Sequence, residues 1–380
     1  MGPATVLLCL SAGSLMALGM VMLYSAAMVQ KGAHFMMMQA LWGGIGLVAC
    51  AFMASVDYRR WRSKKIWKNL SVHLFIVAVV LVFLVLAIGA VRNHSRRWLI
   101  YGPFSFQPSE AAKLALILFL AWYAEHYQRF MGSFWRGIVA PMAFTGLLLV
   151  PIFVEPDRGT TILLGTLACA LLVMGGARWW HLALPALCGV LFLVYSISND
   201  SLRSDRVRAW LNPEKYQTSI AYQQWQSIIA IGHGGTEGLG LGNGRGKMGF
   251  LPENQTDFIY SVVAEELGFY ASLLVVLAFG VFVLCGIYIA WHADNLFGFL
   301  VASGITLLIG IQSFINMSVV TNLIPNKGMT LPFMSYGGSN LLMTLTMVGL
   351  LLSVAWHRES PALELDADDL IDPDLTAETA

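Results

Sequence analysis

Charge is scarce in this sequence. Of its 380 residues only 12% are Asp, Glu, Lys or Arg, against 57% apolar, which excludes an ordinary soluble domain with a charged surface. Metal-type cysteine spacing is missing too. Cys9, Cys50, Cys169, Cys188 and Cys285 all fall inside apolar stretches, so they read as small hydrophobes and not as a disulfide framework. No G-x-G-x-x-G follows a strand-like run, which rejects a dinucleotide fingerprint, and no internal repeat of the transporter kind is found. The N-terminus lacks the basic start and cleavage site of a secretory signal, and Val6 stands where a myristoylation motif needs Ser or Thr. The first apolar stretch is therefore expected to be retained.

What the sequence does have is apolar residues in long runs, at roughly residues 4–29, 36–54, 70–91, 108–124, 137–154, 159–176, 180–197, 259–290, 296–321 and 335–356. Each is about long enough to cross a bilayer as a helix. Continuous apolar runs do not fit the alternation of a membrane barrel, and a span without water must satisfy its backbone internally. The expected fold is an all-α polytopic membrane protein of about ten transmembrane helices. Arg59, Arg60, Arg62, Lys64, Lys65 and Lys68 crowd the second loop, whereas the first holds only Lys31. The positive-inside rule then puts the second loop and both termini in the cytoplasm. Arg129, Arg136 and Arg178 agree, but Arg92, Arg96 and Arg97 would lie outside, against the bias.

Two segments break the rhythm within a membrane domain expected over residues 1–358. Residues 198–258 form a long extracytoplasmic loop, a functional candidate by length alone. It runs from Arg203, Arg206 and Arg208 through a partly amphipathic stretch, Tyr222 to Ile231, into a glycine-dense run from Gly232 to Gly249. Residues 359–380 are acidic with no basic residue and are expected to be a disordered cytoplasmic tail.

Ionisable groups in or beside apolar spans point to function by default. Pro108 suits the first turn of a helix, and the i,i+3 spacing of Glu110 and Lys113 puts both on one face. Either a buried ion pair that fixes the helix or a direct substrate contact fits them. Glu155 and Asp157 sit at a tight turn, where Asp157 could cap the next helix. Asp257 ends the long loop just before an apolar run. It is either a helix cap or a partly desolvated carboxylate suited to general-base work. Glu265 and Glu266 lie deeper and could pair with a basic neighbour. Arg92, Arg96, Arg97, Arg203, Arg206, Lys247 and Lys327 would gather positive charge outside, as an anionic phosphate ester requires. Trp98 reads as an interfacial anchor.

Taken in order, several motifs resemble the SEDS family of RodA and FtsW. They are Arg96-Arg97-Trp98-Leu99, Gln107-Pro108-Ser109-Glu110 with Lys113, and Glu155-Pro156-Asp157 with Gly159-Thr160. Further on come Leu251-Pro252-Glu253, Thr256-Asp257-Phe258 with Glu265-Glu266-Leu267-Gly268, and Leu331-Pro332-Phe333 with Ser335-Tyr336-Gly337-Gly338-Ser339. The resemblance implies a ten-span inverting glycosyltransferase that polymerises lipid II into peptidoglycan at the outer face of the bacterial cytoplasmic membrane. Its implied partners are lipid II, the growing glycan strand, a class B penicillin-binding protein that cross-links the product, and other division or elongation proteins, with no nucleic acid. It implies Asp257 as the catalytic residue, and Glu110 and Lys113 lining a central cavity. Arg97, Trp98, Asp157, Arg203, Arg206, Lys327 and Ser335 join these two as substrate-binding residues. A divalent cation, Mg or Mn, would assist, with no organic cofactor. Gly240-Leu241-Gly242-Asn243 and the run from Ile324 to Thr330 look more like the FtsW branch, which serves division, than the RodA branch. Gln255 replaces the usual His, and Arg158 a usually apolar residue. The competing reading is a lipid II transporter.

Overall fold

The computed structural model describes residues 2–28, 32–63, 65–92, 95–101, 104–198 and 201–357. The acidic tail lies outside them. The helices are α1 (Pro3–Ala26), α2 (Gly32–Ser55), α3 (Leu70–Ile88), α4 (Pro108–His126), α5 (Ala140–Val154), α6 (Arg158–Met174), α7 (Ala183–Ser198), α8 (Ser201–Leu211), α9 (Tyr222–Gly234), α10 (Ile259–Trp291), α11 (Leu296–Val320) and α12 (Gly338–Trp356). Seven segments among the described residues are long and apolar enough to cross a membrane: α1, α2 from His34, α3, Trp135–Val154, α10, α11 and α12. With the shorter or more polar α4, α6 and α7 they make up the ten expected.

The middle of the bundle is α4. Nearly every residue from Pro108 to Ala124 is buried, as befits a helix enclosed on all sides. It packs against α3, α5, α6, α11 and α12. Gly304 of α11 lets α4 approach, since a Cβ there would stand 2.8 Å from Ile117 Cγ2. α2 lies along α12, and α1 along α10. Gly349 of α12 packs directly on the Cys50 backbone of α2. Small residues at helix contacts allow such approach where lipid supplies no hydrophobic drive for association.

The two ends of the bundle differ in charge. At one end Arg59 Nη2 pairs with Asp294 at 2.8 Å and donates to the His357 carbonyl, while Arg62 pairs with Glu125 at 2.9 Å. That end carries the basic second loop. At the other end a small antiparallel sheet, β1 (Ala90–Arg92), β2 (Ser95–Tyr101) and β3 (Phe104–Phe106), covers the starts of α4 and α12. The sheet adds to the expected all-α fold. Its backbone leaves the helical run at Gly89 and satisfies itself by strand pairing, Ala90 with Trp98 and Leu99 with Phe106. The Ser339 hydroxyl donates to the Ser105 carbonyl and accepts from the Gln107 N–H, tying β3 and α4 to α12.

Because α2 and α12 meet backbone to backbone at Gly349, Gly349→Val should lower the unfolding midpoint in detergent, with a cost of about 1–3 kcal/mol for overpacking. Gly44→Val, on α2 where a Cβ meets nothing within 4 Å, should leave that midpoint in place.

Candidate active site

Asp257 stands one residue before the cap of α10, and its backbone is held from outside its own loop. Three consecutive carbonyls are each met by a donor from C-terminal elements. The Tyr336 N–H donates to the Gln255 carbonyl at 2.9 Å, the Ser335 hydroxyl to the Thr256 carbonyl at 2.5 Å, and Asn316 Nδ2 to the Asp257 carbonyl at 2.8 Å. Asn316 Nδ2 also reaches the Met329 carbonyl at 2.6 Å, and Ser335 Oγ accepts the Leu331 N–H at 2.7 Å. The segment 255–257 is thereby locked to residues 329–336 and to α11. Chain this irregular is tolerated beside a membrane only where its polar groups find partners in the protein.

The side chain of Asp257 is treated differently from its backbone. Among the described residues no hydrogen-bond donor meets its carboxylate, and α10, entered through Phe258, has no side-chain cap. The helix-cap alternative is thus excluded. Gly328 packs close by, where a Cβ would stand 3.3 Å from Asp257 Oδ2. The residue keeps a partial opening to solvent, although protein crowds its carboxylate. Desolvation pushes its pKa up from 3.8 to about 7; the negative charges of Glu253 and Asp157 push the same way, and Arg97 opposes them.

The turn between α5 and α6 supplies those neighbours. Asp157 does cap α6, accepting from the Thr160 N–H at 3.2 Å and hydroxyl at 3.0 Å. Arg97 on β2 donates from Nε to the Glu155 carbonyl at 2.9 Å and stands 3.9 Å from Asp157 Oδ2. Glu155 is 2% exposed, with neither carboxylate oxygen hydrogen-bonded. Burial, then the Asp157 charge, raise its pKa to about 8, with Arg97 opposing them. Lys327 is exposed on the loop beside Gly328 and has no ion-pair partner among the described residues. Partial desolvation lowers its pKa.

Other expected site residues fall elsewhere. Glu110 and Lys113 do pair, 2.8 Å apart and buried, and Lys113 Nζ also donates to Gln312 Oε1 at 3.1 Å. Gln312 in turn holds the Thr330 carbonyl at 3.0 Å, so this pair braces the same loop that carries Lys327. Trp98 is half-buried on β2. Arg206 is exposed on α8 and is not among the charges that act on Asp257; the Arg203 side chain lies outside the described residues. Lys247 corrects the expectation of a gathered external cation. It is 2% exposed and donates to Glu266 Oε1 at 3.0 Å, Ser25 Oγ at 3.1 Å and the Gly242 carbonyl at 2.5 Å. Charge around Asp257 is therefore acidic on balance, not basic.

The Glu265-Glu266 pair anchors the glycine-dense run. Glu265 accepts from the Arg245 and Gly246 N–H groups, and Glu266 from the Gly242 N–H and the Ser25 hydroxyl. α10 breaks at Gly268 (φ 77°), and the Leu239 and Gly240 N–H groups take the carbonyls of Glu265 and Glu266. A Cβ at Gly268, Gly238 or Gly234 would collide with backbone across this contact, which accounts for the glycines better than flexibility does. Among the described residues no cluster of three or more His, Cys, Asp or Glu could hold a metal ion.

Fold and site together define a polytopic membrane protein with an uncapped, partly desolvated carboxylate at one end of its bundle. The chain matches the FtsW/RodA/SpoVE family of cell cycle proteins over residues 3–360, and it belongs to that family. It is 41% identical over 348 residues to stage V sporulation protein E of Bacillus subtilis, covering 90% of this chain and 94% of that one. It is 37% identical over 352 residues to a probable peptidoglycan glycosyltransferase FtsW of Geobacter metallireducens, covering 91% and 93%. Among solved structures, a peptidoglycan synthase complex that coordinates polymerisation and crosslinking superimposes with a TM-score of 0.80 at 27% identity, covering 93% of this chain and 98% of that one. The rod shape determining protein RodA of Thermus thermophilus gives 0.70 at 27%, covering 93% and 97%.

Removing one partner of a buried pair leaves the other charge uncompensated. Lys247→Met should therefore destabilise the protein by about 3–5 kcal/mol in detergent unfolding. Adding Glu266→Gln should recover a large part of that loss.

Proposed function

We propose that this chain is a peptidoglycan glycosyltransferase that polymerises lipid II, with Asp257 as its general base. The observation that carries the reading is the Asp257 carboxylate: backbone clamped, side chain without a donor, and pKa raised to about 7. A base poised near the working pH is what proton abstraction from a sugar hydroxyl needs. As Asp257 takes the proton of the acceptor 4-hydroxyl, the oxygen forms a bond to the anomeric carbon of the donor. The bond from that carbon to the polyprenyl pyrophosphate breaks with inversion, and the leaving group departs with the electron pair. Lys327, exposed beside Gly328 and without an ion-pair partner among the described residues, is our candidate to stabilise the charge that grows there. Arg97 serves differently, because its guanidinium is engaged by the turn at Glu155 and Asp157.

The active end is the outer face of the cytoplasmic membrane, since the positive-inside rule assigns the end bearing Arg59, Arg60 and Arg62 to the cytoplasm. The described C-terminal end lies with that basic end, where the His357 carbonyl accepts from Arg59 Nη2. Kinship with sporulation protein E and FtsW proteins, together with the FtsW-like 240–243 and 324–330 segments, favours a division-type role over elongation. The crosslinking partner is a class B penicillin-binding protein, by analogy with the synthase complex of the same fold. Transport of lipid II is less well supported. The buried Glu110–Lys113 pair, its main candidate, has its donors taken up by Glu110 and Gln312.

The test is incubation of the purified protein, with and without its partner, with labelled lipid II. Glycan chains on a gel are expected from the parent and none from Asp257→Asn, with the variant still folded and still binding its partner. Polymer made at the parent rate by Asp257→Asn would remove the base assignment. Translocation in vesicles without polymer would establish the transporter instead.

A further inference from the structure

At the end opposite Asp257, two turns pack on one another. One, residues 127–139, joins α4 to α5; the other, residues 175–182, joins α6 to α7. Met131 is buried between them, with its Cβ 3.8 Å from where a Cβ on Gly176 would stand. The Phe134 and His181 rings meet edge to face at 5.6 Å, and Arg178 Nε would stand 3.7 Å from a Cβ on Gly132. These contacts put Arg129, Arg136 and Arg178 on one surface.

All three arginines are exposed, and none has an ion-pair partner among the described residues. The sequence offers none locally, since residues 126–154 and 159–198 contain no Asp or Glu. The nearest acid in sequence, Glu125, is taken by Arg62 at 2.9 Å. Two of the guanidinium groups are already oriented by aromatic faces. Arg136 lies 4.4 Å from the Phe130 ring centroid and Arg178 5.7 Å from that of Trp180. The Arg136 backbone is fixed as well, its carbonyl accepting from the Tyr123 hydroxyl at 2.7 Å and its N–H donating to Ser133 Oγ at 3.3 Å. Pre-orientation lowers the ordering cost of binding an anion. Trp135, Trp179 and Trp180 are 72%, 68% and 53% exposed around the same turns, a composition suited to the headgroup level of a bilayer.

We infer that the paired turns 127–139 and 175–182 form a binding site for an anionic phospholipid headgroup carrying two phosphates. Guanidinium groups match phosphate oxygens in bidentate geometry, three unpaired positive charges exceed the two negative ones to be held, and the tryptophans seat the acyl-chain roots. Basic pockets between membrane helices on the cytoplasmic side suit such headgroups. A topological role alone would need the charge but not its assembly from two docked turns, nor guanidinium groups held over aromatic rings.

The test uses the full chain purified in detergent, with cardiolipin, phosphatidylcholine or inorganic phosphate added, and reads the thermal unfolding midpoint and the lipid retained in native mass spectrometry. Cardiolipin is expected to raise the midpoint and remain bound, whereas phosphatidylcholine and phosphate do neither. The triple variant Arg129→Gln/Arg136→Gln/Arg178→Gln should lose both effects. A control triple at exposed positions of the other basic loop, Arg60→Gln/Lys65→Gln/Lys68→Gln, should keep them. Should the first triple unfold during purification, Trp179→Ala/Trp180→Ala with Arg178→Gln takes its place and should weaken retention. The inference is overturned if the arginine variant keeps the cardiolipin shift, if the control loses it equally, or if phosphate alone reproduces it.

Discussion

A carboxylate at the edge of a membrane bundle is useful only if the backbone that carries it does not collapse around it. In this protein the carbonyls of Gln255, Thr256 and Asp257 are each satisfied by a donor from α11 or from the loop before α12. These donors fix the position of the segment, and the Asp257 carboxylate accepts from none of the described backbone N–H groups at the start of α10. The same donors belong to a second layer: Ser335 holds Leu331, Asn316 holds Met329, and Gln312 holds Thr330. The loop bearing Lys327 and Gly328 is therefore set against Asp257 by the contacts that set Asp257 itself. Gln312 in turn bonds Lys113 in the middle of the bundle, so the register of α4 reaches the site loop through the Lys113–Gln312–Thr330 hydrogen bonds.

The other buried charges serve the same end. Glu266 and Lys247 fasten the glycine-dense run to α10 and α1, and Gly268 breaks α10 so that the run can take its carbonyls. Buried ion pairs are costly in desolvation and add little net stability, but breaking one is expensive. They act here as fixed points of assembly between segments far apart in sequence. Around Asp257 the logic reverses: Glu253 and Asp157 outweigh Arg97, and the acidic surroundings raise the affinity of Asp257 for a proton. That suits a base more than a phosphate cradle.

Much of this was legible in the sequence because its cause is local. Apolar runs of bilayer length gave the spans, Pro108 marks the start of α4, and i,i+3 spacing brings Glu110 to Lys113. The position of Asp257 at the end of the long loop was also plain, although spacing could not separate cap from base. Long-range pairing was not legible. Lys247 looked like one more external cation because no local pattern reveals that it packs against Glu266, nineteen positions on. The clamp made by Ser335 was hidden for the same reason: its hydroxyl bonds two backbone groups, and no sequence spacing encodes that. The sheet could have been seen in Ser95–Tyr101, where a short run of aromatic and β-branched residues precedes Gly102-Pro103 and a second aromatic run.

The central claim is that the protein holds the Asp257 carboxyl as an uncapped group titrating far above an ordinary aspartate. Infrared difference spectra of the parent against Asp257→Asn, recorded in detergent across pH, report the protonated carboxyl band directly. The midpoint should fall near 7, with the band present below it and lost above. Polymerisation should fail on the acid side of the same midpoint, because a protonated carboxyl cannot accept the sugar hydroxyl's proton. A midpoint near the ordinary 3.8, or no band attributable to Asp257 between the two values, would contradict the account.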